Sequence, residues 1–167
     1  MAIQNPKDVF VKLLSDVRRR EERSSEILEE ISDLCENAAV KEALESRIFL
    51  KGQILNTLDR CFALIGREPI PSDTRLQDVF LEHFRQELAE IKMPAARNLY
   101  ILAKAKHLIH LHVGEYVALT AMADITNHYG VGVMLEACLA ENLALVERTR
   151  RLIRRVVEGE IANRLAA

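Results

Sequence analysis

Near the start of the chain Phe10, Leu14, Val17, Ser24, Leu28, Ile31 and Cys35 recur at steps of three, four or seven. This is the spacing of a helix stripe packed against neighbouring helices. Asn5 is placed to cap that helix, and Pro6 falls at its first position, where a missing N–H costs nothing. One position in the stripe is charged: Glu21 lies seven residues after Leu14 and seven before Leu28. A second helix is predicted after "ENAA", with Val40, Leu44, Leu50, Ile54, Leu58, Cys61 and Ile65 near one face and Arg47 in the same register. Gly66 suits a left-handed C-cap, and the two prolines of "REPIPSD" forbid continuation.

A shorter helix is predicted from Thr74 to Lys92, after which Pro94 restarts the chain into a third long helix. Its stripe is Leu102, Ala105, Ile109, His112, Tyr116, Leu119 and Ala123. The fourth long helix is predicted to begin after "NHYGVG" and to carry Leu135, Cys138, Asn142, Leu145, Leu152 and Val156. Four long amphipathic helices with a prolonged middle connection describe a four-helix bundle. With 167 residues, the chain can bury about two thirds of its unfolded surface in a single domain, 1–167.

Composition agrees with an all-α fold: 49% of residues are apolar, glycine (6) and proline (4) are scarce, and tryptophan is absent. A net charge of -2 provides no general attraction to nucleic acid or to an anionic membrane, so neither is expected as a partner. Cys35, Cys61 and Cys138 are far apart, odd in number and set in apolar runs, which reads as buried thiols in a reducing compartment. The start, "MAIQNPKDVF", is not a charged segment followed by an apolar run, and no stretch approaches 18 uninterrupted apolar residues. A cytoplasmic protein is the expectation.

Four segments, "NPKDVFVKLLSDVRRREE", "LDRCFALIGREP", "IHLHVGEYVAL" and "CLAEN", occur in the order and spacing of a known family. The third resembles the pattern EHYEIAxYxxL and the fourth resembles TLDEE. On these segments the chain resembles the ferritin-like bacterial stress proteins typified by YciE and YciF. The resemblance implies a ferritin-like antiparallel four-helix bundle with an additional short helix in the middle connection, a homodimer, and facing carboxylates of the kind that hold two metal ions. Glu21 matches the first-helix carboxylate, whereas the second-helix histidine and glutamate fall on Arg47 and Leu50. In the third helix one glutamate becomes Ile109 and the next His112. In the fourth Glu141 remains, but its neighbour is Asn142 and an acidic position one turn later is Val146. A complete di-iron site is therefore not expected.

Three of the five histidines lie in the third helix, but His107 and His110 share a face that excludes His112, so the trio cannot converge on one ion. Only His112 is in the core register, and Glu115, three residues on, is read as facing solvent. Arg47 stays charged in any protein environment and would repel a divalent ion, but it can neutralise Glu21 in its place. Two functions follow. The first is a non-catalytic or degenerate ferritin-like structural or stress-associated protein acting through protein interaction, with no cofactor. The second is a metal-binding protein, for iron or manganese in oxidative-stress handling, with a reduced site of Glu21, His112 and Glu141. "RRREER" and "ERTRRLIRR" read as solvated helix faces or subunit contacts. No phosphate loop or nucleophile elbow occurs.

Overall fold

The computed structural model describes residues 3–166, with side chains to residue 159, and every regular element among them is helical. Helix α1 (Pro6–Asp33) opens as its sequence dictates, with Asn5 Oδ1 accepting from the Asp8 N–H at 3.0 Å. Asn37 caps α2 (Ala38–Phe49) in the same way, accepting from the Val40 N–H at 3.1 Å. The predicted second helix is in fact two. It breaks at Leu50, which ends α2 and begins α3 (Lys51–Ile65), with the Leu50 N–H reaching back only to the Arg47 carbonyl. The stripe continues across this break, so hydrophobic spacing alone gave no sign of it. Gly66 closes α3 at φ 65°, the left-handed conformation that glycine adopts without strain.

The connection after α3 crosses α1, where Ser72 Oγ donates to Asp16 at 2.5 Å and the Ile70 N–H donates to Ser15 Oγ at 3.1 Å. It leads into α4 (Arg75–Glu90), and α5 (Pro94–Ile125) then starts with Pro94 in its first turn. Helix α6 (Tyr129–Ala166) begins earlier than its glycines suggested. Asn127 takes the left-handed turn at φ 61°, and the His128 carbonyl immediately accepts from Val131 and Gly132, at 2.9 and 3.0 Å. Both glycines therefore lie inside the helix.

Helices α5 and α6 share the most extensive interface, and α1 packs against α2, α3 and α5. Ion pairs Arg18–Asp59 (2.5 Å) and Asp8–Arg67 (3.8 Å) show that α1 and α3 run antiparallel. Among the described residues α6 is long and apolar enough, by length and composition only, to cross a membrane, although core helices meet the same test.

The apolar interior is in two lobes. One joins the first half of α1 to α3, the second half of α5 and the start of α6, through Leu14, Val17, Leu58, Cys61, Leu119 and Leu135. The other joins the second half of α1 to α2, α4 and the first half of α5, through Ile27, Ile31, Leu44, Phe84, Ile101 and Leu108. Each fully buried aliphatic or aromatic side chain contributes about 1.5–3 kcal/mol of transfer free energy. Between Val17 and Ile27, between Leu44 and Ile54, and between Ile109 and Tyr116, the buried side chains are polar: Glu21 with Ser24 and Ser25, Arg47, and His112.

Candidate functional site

These polar residues form one cluster. Glu21 is 1% exposed and Arg47 2%, and an Arg47 Nη2–Glu21 Oε2 ion pair joins α1 to α2. Tyr116, wholly buried, donates its hydroxyl to Glu21 Oε1 at 3.0 Å. His112 Nδ1 lies 3.9 Å from the same Glu21 oxygen and 3.2 Å from Glu115 Oε2, while its Nε2 meets Ser24 Oγ at 2.9 Å. Arg20 closes the chain by donating to Glu115 Oε1. A groove of about 300 Å³ between α1 and α5 has Arg20 and Glu115 in its wall, so the cluster reaches the surface through that pair.

Burial alone would push the Glu21 carboxyl up, but the charges of His112 and Arg47 and the hydrogen bonds from Tyr116 and Arg47 outweigh it and hold the group below its ordinary value. Glu21 is therefore ionised. Burial, then the adjacent Glu21 carboxylate, drives the Tyr116 phenol well above its ordinary value, so it remains a donor. Burial likewise pushes the Cys61 thiol up to about 12 and the Cys138 thiol to about 11. All three cysteines are free and buried.

Glu21 and His112 are brought together, whereas Glu141 is exposed on α6, and among the described residues no hydrogen bond or ion pair joins it to either. His107 and His110 are also exposed, with His107 edge-on to Phe80. The residues do not match the donors of a two-metal centre. Arg47 presents a cation, Leu50 and Ile109 pack as apolar residues, and Asn142 Nδ2 is committed to the Cys138 carbonyl at 2.9 Å. Among the described residues no group of three or more His, Cys, Asp or Glu side chains is arranged to hold a metal ion.

The Glu21–Arg47 pair was expected from sequence; the roles of Ser24 and Glu115 were not. Serine in a core register was a usable signal. Glu115 was expected to face solvent, but it is drawn inward by His112 on its own helix and by Arg20 across the interface. Arg47 Nε and Nη1 and Asn142 Oδ1 are buried with no hydrogen-bond partner among the described residues.

This is an all-helical protein whose interior is crossed by a charged cluster centred on an arginine–glutamate pair. The chain belongs to the family described as Domain of unknown function (DUF892), whose model matches residues 5–164. Its structure resembles the Escherichia coli stress protein YciF, with a TM-score of 0.87 and 18% identity over 93% of this chain and 99% of that one. It also resembles YcfI of Rhodopseudomonas palustris, provisionally described as a structural protein, with a TM-score of 0.84 and 21% identity over 89% and 94%. A protein from Xanthomonas campestris aligns with a TM-score of 0.73 and 16% identity over 96% and 98%. No curated protein matches the sequence. The expected kinship with YciE and YciF is thereby shown.

Proposed function

We propose that the chain is a degenerate ferritin-like four-helix bundle, a single domain with α4 as the extra helix, in which an ion pair has replaced metal. It acts as a structural, stress-associated interaction protein, a cytoplasmic homodimer without nucleic-acid or membrane partners. The carrying observation is the Arg47–Glu21 pair, with side chains 3% and 1% exposed. A guanidinium cannot give up its proton in a protein, so it supplies permanently the positive charge that a carboxylate in this position requires. The stress association rests on the likeness to YciF.

A second reading, a reduced iron or manganese site of Glu21, His112 and Glu141, has one observation in its favour: the 3.9 Å approach of His112 to Glu21. Metal analysis of protein purified without a histidine tag separates the two. The ion-pair reading expects less than stoichiometric iron, manganese and zinc, and helicity that survives a strong chelator. Stoichiometric metal that disappears in His112→Leu would establish the reduced site instead.

A further inference from the structure

Outside the buried cluster, the strongest unassigned feature is a groove of about 390 Å³ between α2 and α6. Arg148, Arg151 and Arg155 line its α6 side, all exposed and at steps of three and four, hence on one helix face. The groove continues past Arg155 into a second hollow of about 400 Å³ whose lining includes Val156 and Gly159. From Leu145 to Gly159 the lined length of α6 is roughly 21 Å at about 1.5 Å per residue.

Charge on this rim is largely unspent. Glu147 pairs with Arg150 at 2.9 Å and also lies near Arg151 and Arg154, but no ion pair engages Arg148 or Arg155 among the described residues. Glu42 supplies the groove's carboxylate on the α2 side, which directs any anionic occupant toward α6. The floor is apolar, with Leu145 and Leu152 from α6 and Ala39 and Ala43 from α2. Thr149 is also there, but its hydroxyl is committed to the Leu145 carbonyl at 2.9 Å.

An apolar floor beneath an arginine rim matches a helix with apolar residues on one face and carboxylates beside them. Arginine adds bidentate recognition of carboxylates. Single-stranded nucleic acid fits less well, because no aromatic side chain lines the groove to stack a base and the whole chain carries a net charge of -2. We propose that the α2–α6 groove is the docking site for an acidic amphipathic helix of a partner protein. The proposal rests on the reading of this chain as an interaction protein, and it names the surface and the chemistry of the partner.

The test uses a fluorescent peptide of about five turns, with leucines at helical spacing flanked by glutamates, beside its lysine counterpart and an oligothymidylate of similar length. Anisotropy titrations should show saturable binding of the acidic peptide alone, weakened by salt. The triple change Arg148→Glu, Arg151→Glu, Arg155→Glu should weaken it by about tenfold or more. These side chains are exposed, so unchanged circular dichroism will show that the variant is folded. Leu152→Ser, which keeps every charge, should also weaken the peptide. No binding up to about millimolar concentration (a free energy of roughly -4 kcal/mol) would overturn the proposal. Equal binding of both peptides, tighter binding of the oligonucleotide, or a dimer of this chain that only the triple variant dissolves would do the same. Acidic-peptide binding that both groove variants leave intact would remove the groove while preserving the interaction reading.

Discussion

Replacing Glu21 by leucine strands Arg47, and the structure sets how badly. Arg47 is 2% exposed, and its Nε and Nη1 already have no partner among the described residues, so Glu21 carries its described pairing alone. Removing one member of such a buried pair costs about 3–5 kcal/mol, and the upper half of that range is expected. Arg47→Met leaves Glu21 with the Tyr116 hydroxyl and nearby His112, which places that variant in the lower half. In the double variant no charge is stranded, and the chief loss is the Tyr116 hydroxyl's acceptor, about 1–3 kcal/mol. Summed single losses of roughly 7–9 kcal/mol should therefore exceed the double loss by about 4 kcal/mol or more. Urea unfolding followed by circular dichroism measures all three, and each single variant should lower Tm by roughly 6–20 °C. Losses that add within about 0.5 kcal/mol would refute the coupling.

The acid limb of the stability curve should carry the mark of Glu21, whose carboxyl is held below its ordinary value of 4.5. A carboxyl depressed in the folded state contributes its full stabilisation above the ordinary value and loses it as pH falls through the folded one. The Glu21→Leu, Arg47→Met chain should thus show a flatter decline below about pH 4.5 than the parent, and equal slopes would refute this. His112→Leu should cost about 1–3 kcal/mol in urea unfolding, because it strands the buried Ser24 hydroxyl, and adding Ser24→Ala should recover part of the loss. Cys61 and Cys138, with thiols pushed up to about 12 and about 11, should resist alkylation at pH 8 in the folded protein. Labelling in a Cys35→Ala background that outpaces unfolding would contradict their burial.

Most helices were legible because their signals are local: Asn5 caps α1 where capping was possible, and Gly66 ends α3 as a left-handed residue should. The break at Leu50 was hidden because the apolar stripe passes through it, with Leu50 itself packed against the lobe that contains Leu58 and Leu135. The early start of α6 was hidden because Gly130 and Gly132 look like loop residues, while the turn is made by Asn127. At the candidate site, Glu21, Arg47 and His112 stood out as polar residues in an apolar register. What could not be read was which oxygen meets which nitrogen. Arg20 reaches Glu115 across 95 positions of sequence, and such a contact leaves no periodic trace.

The polar layer between the two apolar lobes also acts as a ruler. Sliding one helix by a single turn, about 5.4 Å, would take Glu21, Arg47 or His112 out of reach of its partner and leave a buried charged or polar group unpaired. Stripes of leucine and isoleucine tolerate such slippage far better, because one turn replaces like with like. The ion pair therefore sets which turn of α1 faces which turn of α2 and α5. A chain made wholly apolar at Glu21, Arg47, His112 and Tyr116 should keep its helicity while its amide resonances broaden among several longitudinal alignments.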